Sequence, residues 1–196
     1  MKLLGDFNIY NALAAIGVGL SQGVSLDICK KAVQNIEGVP GRMEQVLKEQ
    51  FKVFVDYAFT PNALEKVYQT LKPPGAKMIC VLGACGGGRD KWKRPVLGQI
   101  AAKYCDKVII TNEDPYDEDP AEIINEVAGG AGDGSQKISD RREAIKKSLE
   151  SAGQGDTVVI TGKGAEPWMM GPNNTKIAWD DRAVVREELG NIHYGE

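Results

Sequence analysis

The segment ICVLGACGGGRDKWKRP, residues 79–95, runs from an apolar stretch into Gly83 and Gly86–Gly88, then into Arg89, Lys91, Lys93 and Arg94. A glycine turn after a strand can offer backbone N–H groups to a phosphate. This one fits neither G-x-G-x-x-G nor G-x-x-x-x-G-K-[ST]. In TGKGAE, residues 161–166, Lys163 is followed by Gly164 where a P-loop needs Ser or Thr. The loop is equally well read as a tight turn with close backbone packing. A second stretch, TNEDPYDEDP, residues 111–120, is acidic and suits a cationic or amine group, or a metal. Within it Asp119 and Pro120 read as the N-cap and first residue of a helix. That leaves Glu113, Asp114, Pro115 and Tyr116 as the site candidates. A third, GDFNIYNALAA, carries Asn8 and Asn11 at a helix start. One asparagine is a good cap; the other lies a turn further in, where alanine is the better helix former, and needs another reason.

Other chemistries are poorly supplied. Four cysteines without C-x-x-C spacing and a single histidine make a poor zinc set. Cys29, Cys80 and Cys105 sit in apolar patterns and read as core. Cys85 lies in the glycine loop with no histidine nearby in sequence to activate it. The one histidine, His193, is the fourth residue from the end, in GNIHYGE, which sets aside Ser-His-Asp and Cys-His mechanisms. A net charge of −3 with no basic stripe argues against nucleic acid as a partner. No apolar run reaches membrane-spanning length, and Met1-Lys2-Leu3-Leu4 leads into Gly5-Asp6 without a signal-peptide core. No membrane partner is expected, and the expected compartment is the cytoplasm.

The elements that must position these residues follow from periodicity. Ile9, Leu13, Ile16 and Leu20 recur at helical spacing up to Gly23; a second helix runs from a Ser25 cap to Gly38, with Leu26, Cys29 and Val33 on one face. Two helices do not make a domain. After the break at VPGRMEQV the pattern alternates. Strands are predicted at FKVFVDYA, KMICVLGA, KVIITNED and DTVVITGKG, with a short one at QKISD. Helices are predicted over Pro61–Leu71 (Thr60 as cap), Pro95–Tyr104, DPAEIINEVAGG, RREAIKKSLESAG and DDRAVVREELG. The fold class is therefore α/β: a Rossmann-like, mostly parallel sheet with helices on both faces. In such sheets ligands bind beyond the carboxyl ends of the strands. DYAFTPN, GACGGGRD, TNEDPYDEDP and TGKGAEP should line that edge together.

In this order, GDFNIYNALAA, GVPGRMEQV, FVDYAFTPNALE, GACGGGRDKWKRPVLGQIAA, TNEDPYDEDP, ISDRREAI and TGKGAE closely resemble the C-terminal part of the Mur ligase family. Within it, the members that add the third residue to the UDP-MurNAc-dipeptide of peptidoglycan are the most similar. The resemblance runs from about Gly5 to Leu189. It implies an amide-bond ligase in which ATP, with Mg2+, phosphorylates the substrate carboxylate and an amino acid's amine displaces the phosphate. Residues 1–38 then correspond to the end of a central ATPase domain and 39–196 to the amino-acid-binding C-terminal domain. The P-loop, the metal-binding glutamate and the UDP-sugar domain should lie upstream, leaving this chain alone without ligase activity.

By position in those motifs, Asn8 and Asn11 resemble the pair near adenine, Arg42 the hinge arginine on the nucleotide and Asp56 the carboxylate on the ATP ribose. Arg89, Glu113, Asp114, Pro115, Tyr116, Gly162 and Glu166 resemble the amino-acid site; no metal ligand is assigned. Closure onto ATP would bring Arg42 and Asp56 to the nucleotide, and Arg89, Lys93 and Arg94 to negative charge. The sequence departs from the family at Phe59 and Ala165, both usually histidine, and at Tyr116, where members using diaminopimelate carry arginine. A tyrosine among acids suits a substrate ending in an ammonium, lysine or another diamine. The alternatives are a stand-alone binding module that has lost catalysis, supported by the two missing histidines, and a folylpolyglutamate-type ligase, against which GGGRDKWKRP and DEDP argue.

Overall fold

The computed structural model describes residues 1–191; His193 lies outside them. Two compact units divide the chain, residues 1–40 and the remainder from Gly41 onward.

The first unit is a pair of helices, α1 (Phe7–Ser21) and α2 (Leu26–Asn35). Gly23, at φ 80°, ends α1, and Ser25 Oγ accepts from Ile28 N at 3.4 Å to cap α2. The helices cross closely at Gly19, where a Cβ would lie 2.8 Å from Cys29 Sγ. Cys29 is the only buried residue of either helix. The apolar stripe of α1 is not covered: Ile9 is 52% and Leu13 59% exposed. Two helices lack the faces to bury two such stripes.

The second unit is built on a six-stranded sheet of order β1-β2-β6-β3-β4-β5. Its strands are β1 (Glu44–Leu47), β2 (Lys52–Asp56), β3 (Met78–Leu82), β4 (Lys107–Ile110), β5 (Gln136–Lys137) and β6 (Thr157–Thr161). β1 runs antiparallel to β2, with a bulge between Gln45 and Leu47; every other pairing is parallel. The alternation of side chains along each strand feeds two cores. Val53, Val55, Ile79, Val81, Ile109, Val158 and Ile160 meet α6 (Arg141–Glu150) and α7 (Asp181–Asn191). Their neighbours, such as Phe54, Cys80, Ile110 and Val159, are also buried. Their side chains point to the other face, the side of α3 (Pro61–Leu71), α4 (Lys93–Tyr104) and α5 (Pro120–Ala131), which pack on one another and on β4 and β6. α4 and α5 touch backbone to backbone: a Cβ on Gly98 would lie 2.8 Å from Ala131 N, and one on Gly130 2.6 Å from the Pro95 carbonyl carbon.

Three local readings need correction. Thr60 precedes α3, but its side chain makes no cap hydrogen bond; Pro61 follows with its φ preset and no N–H to satisfy. α4 starts at Lys93 rather than Pro95, which places two basic side chains in its first turn. The break at VPGRMEQV contains a strand, because its last residues form β1, a short, half-exposed edge. Asp119 does cap α5, accepting from Ala121 N at 2.9 Å. A hairpin also follows β6: β7 (Trp168–Met170) pairs antiparallel with β8 (Lys176–Ala178). Asn173 and Asn174, at φ 53° and 57°, make its turn, a conformation asparagine tolerates.

Candidate functional site

The loops after β2, β3, β4 and β6 surround a pocket of about 290 Å³. Tyr57 and Phe59 come from the first, Cys85 and Arg89 from the second with Lys93 at the start of α4, Glu113, Asp114 and Tyr116 from the third, and Gly162 and Glu166 from the fourth. The four strand ends meet at one rim, as parallel topology requires. The hairpin adds Trp168, Met170 and Lys176.

The glycine loop is there for packing. A Cβ on Gly86 would lie 2.9 Å from the Pro115 carbonyl carbon, and one on Gly87, at φ 64°, would lie 2.6 Å from the Tyr116 ring. Gly86 N donates to Asp114 O at 2.8 Å. The loop therefore lets the Pro115–Tyr116 turn, in which Tyr116 itself sits at φ 52°, lie directly against it. Gly162, at φ 108°, does the same for Glu113: its Cβ would lie 2.6 Å from Glu113 Cδ.

The acidic residues are already engaged. Lys163, fully buried, donates to both oxygens of Asp114 at 2.8 Å and to Glu166 Oε2 at 2.6 Å. Burial opposes its charge, but the hydrogen bonds to Asp114 and Glu166 outweigh that and raise its pKa. Asp114 also accepts from Met170 N at 2.8 Å, which ties the hairpin to the loop after β4. Glu166 Oε1 accepts from Tyr57 Oη at 2.7 Å. Burial, with that carboxylate beside it, pushes the Tyr57 phenol up to about 12. Glu113 is buried, which raises its pKa against the opposing field of Arg141. Its Oε1 accepts from Cys85 Sγ at 3.1 Å. Burial and the neighbouring Glu113 push the Cys85 thiol far up, so Cys85 is no thiolate nucleophile.

Behind the pocket, Arg141 fixes two strand ends. It pairs with Asp181 at 2.9 and 2.7 Å and donates to the carbonyls of Asn112 and Thr161, just past β4 and at the end of β6. Trp179 Nε1 reaches the same Asp181 at 2.7 Å. ISDRREAI thus contributes its first arginine to scaffold rather than to pocket.

On the β2 side, Asp56 is buried, and its two oxygens accept from Met43 N and Ala58 N at 2.7 Å. Burial raises its pKa, and those amides and Arg42 oppose the rise. It holds in place the turn in which Met43 sits at φ 43°. The neighbouring Arg42 is exposed and stacks on Tyr57, 4.4 Å from the ring centroid. Each Asp56 oxygen keeps a lone pair for a further donor. In the first unit Asn8 is half-buried and Asn11 exposed; Asn8 donates to Leu4 O at 2.6 Å and Asn11 to Asn8 Oδ1 at 2.9 Å. Asp6, not Asn8, is the N-cap residue.

The basic run after the glycines is not uniformly available. Arg94 is buried and committed to Glu126 at 2.7 Å, Glu118 at 3.0 Å and Cys85 O at 3.1 Å. Lys93 is buried against Phe59, while Arg89 is exposed with no side-chain partner among the described residues. Sequence reasoning missed Lys163, weighed only as a P-loop lysine, and the hairpin, for which GPNN between two short alternating runs was a usable turn signal.

Residues 41–164 match the family model described as Mur ligase, glutamate ligase domain. The chain belongs to the Mur ligase family. Among its Mur ligase relatives, the UDP-N-acetylmuramoyl-L-alanyl-D-glutamate–2,6-diaminopimelate ligase of Syntrophomonas wolfei is 46% identical over 96% of this chain and 40% of its own length. The UDP-N-acetylmuramyl-tripeptide synthetase of a Roseiflexus species is 41% identical over 100% of this chain and 40% of its own length. A solved structure of a diaminopimelate ligase of the same name superposes with a TM-score of 0.72 at 38% identity, covering 96% of this chain and 39% of its own. A Mycobacterium tuberculosis folylpolyglutamate synthase, solved with ADP and AMPPCP, shares the fold at a TM-score of 0.63 and 22% identity over 82% of this chain and 38% of its own. The chain thus spans about two-fifths of the length of the curated relatives it matches. Among the described residues, no helix is long and apolar enough to cross a membrane, and no group of three or more His, Cys, Asp or Glu is arranged to hold a metal ion.

Proposed function

We propose that this chain is the amino-acid-binding part of a cytoplasmic ATP-dependent ligase. The whole protein extends UDP-MurNAc-dipeptide by one amino acid through an acyl phosphate. Residues 1–38 belong to the end of the central ATPase domain, and nucleotide and Mg2+ are held mainly by the part of the relatives' length this chain does not span. The observation that carries the reading is the single pocket rim to which the loops after β2, β3, β4 and β6 all contribute, in a chain of this family. Arg42 and Asp56 stand at the β2 end of that rim. A guanidinium there suits a phosphate, and the spare lone pairs of Asp56 suit ribose hydroxyls. Asn8 and Asn11 are assigned to the adenine.

The incoming residue sits against Glu113, Asp114, Pro115, Tyr116, Gly162 and Glu166, with Arg89 at the mouth. Lysine would bring a distal ammonium with no carboxylate beside it and would need a free acid; Asp114 and Glu166 share Lys163, and Glu113 accepts from Cys85. Among the described residues, the cations lining the pocket without a carboxylate partner are Arg89, Lys93 and Lys176. That balance supports an amino acid presented through its carboxylates, and 2,6-diaminopimelate carries two. The test is amino-acid-dependent ADP formation by the full product of the gene encoding this chain, offered UDP-MurNAc-dipeptide with lysine and diaminopimelate in parallel. ADP formation with diaminopimelate supports the reading. Preference for lysine overturns the charge argument, and no dependence on any amino acid leaves the alternative of a non-catalytic binding module.

A further inference from the structure

Lys93 and Arg94 occupy the first turn of α4. Cations there face the positive end of the helix dipole, so helix stability does not account for them. Arg94 is accounted for by Glu118, Glu126 and the Cys85 carbonyl. Lys93 is not. The residue is 6% exposed, and among the described residues no acceptor takes a hydrogen bond from its ammonium. Among the described residues its ammonium meets the face of Phe59, 5.1 Å from the ring centroid. The stem is buried while the ammonium opens onto the pocket; a charge held there without a counter-charge is poorly compensated, and a ring face returns little. The open side of the ammonium is the pocket, which Lys93 and Phe59 both line. The pocket's own acids do not turn toward it: Asp114 and Glu166 are held by Lys163, and Glu113 accepts from Cys85. Phe59 is itself fixed edge-to-face on Tyr57, with centroids 5.2 Å apart. It orients the ammonium while leaving N–H donors free.

We infer that Lys93, braced on Phe59, is an anion-binding residue that receives an oxyanion entering the pocket. The oxyanion is a carboxylate of the incoming amino acid or a phosphate. The carboxylate source rests on the function proposed above and deepens it; the phosphate source does not depend on which amino acid is used.

The experiment is isothermal titration of the 196-residue chain, wild type, Lys93→Met and Lys93→Arg, with 2,6-diaminopimelate, its diamide and inorganic phosphate. The affected oxyanion should bind the wild type, weaken about tenfold to a hundredfold in Lys93→Met and largely recover in Lys93→Arg. The diamide should bind both forms equally. An effect on diaminopimelate alone assigns a carboxylate, and one on phosphate alone assigns a phosphate. Lys93→Gln replaces Lys93→Met if circular dichroism shows that variant unfolded. Equal binding of both anions by wild type and neutral variant overturns the inference while leaving the amino-acid site intact. If diaminopimelate fails to bind the wild type, the proposed function falls, and the phosphate titration alone decides for or against Lys93. Absence of binding by either anion overturns both.

Discussion

Lys163 and Asp114, 49 residues apart in sequence, meet through two hydrogen bonds of 2.8 Å in the buried floor of the pocket. The pair joins the loop after β6 to the loop after β4, and Glu166 and Met170 N extend it to the hairpin. Replacing Lys163 by methionine keeps the bulk and strands two carboxylates. The expected cost is about 3 kcal/mol in chemical denaturation, because removing one partner of a buried pair leaves its charge uncompensated. Adding Asp114→Asn to that variant should return part of the loss. An unchanged midpoint in Lys163→Met would show that the pair carries no stability.

Arg141 and Asp181 make a second buried pair, both side chains fully covered. Isosteric apolar replacement of a simple buried pair is often tolerated. Here it should not be, because Arg141 also satisfies the carbonyls of Asn112 and Thr161, and Asp181 satisfies Trp179 Nε1. Arg141→Met with Asp181→Leu is therefore predicted to remain at least about 2 kcal/mol below wild type. Faster amide exchange should appear first at the carboxyl ends of β4 and β6. A double variant as stable as the parent would show that the orphaned groups cost nothing.

The parallel strands, the helices and the convergence of four loops on one rim were legible because each rests on local pattern. Buried strands such as MICVL read as continuous apolar runs, and the rule for strand ends needs only topology. What stayed hidden depends on partners distant in sequence. Asp114 and Glu166 look like free acids until Lys163 is placed between them. Arg94 looks like a free cation until α5 brings Glu126 to it. The glycines of GACGGG look like a phosphate cradle until Pro115 and Tyr116 are seen lying on them. β1 escaped because four residues of half-exposed edge carry little periodicity.

Gly162 tests that close packing directly. At φ 108° any L side chain is strained, and a Cβ there would press on Glu113. Gly162→Ala should cost more than the ~1 kcal/mol of a simple left-handed glycine replacement, because Glu113 must also move. The displaced Glu113 carboxyl loses its contact with Cys85, so the thiol should react faster with a maleimide reagent than in wild type. An unaltered labelling rate would show that Gly162 does not position Glu113.

Glu118 gives the pH signature. It accepts from Arg94 at 3.0 Å and from Gly88 N at 3.4 Å and pairs with Lys91 at 2.9 Å, tying the glycine loop to the approach of α5. The hydrogen bond from Lys91 and then that from Arg94 lower its pKa from 4.5 to about 2. A carboxyl depressed on folding contributes stability that is complete above the unfolded value and is lost as pH falls through the folded one. The contribution of Glu118 should therefore be intact at pH 5 and disappear between roughly pH 4.5 and 2. Glu118→Gln should lower the melting temperature at neutral pH by about 3 °C, since Arg94 keeps only Glu126 as a charged partner. Its melting temperature should then fall less steeply than wild type below pH 4.5, so that the two curves converge in acid. Added salt should narrow the neutral-pH gap through the exposed Lys91 but leave the share carried by buried Arg94. Parallel wild-type and variant curves through that window would show that Glu118 does not titrate against the loop.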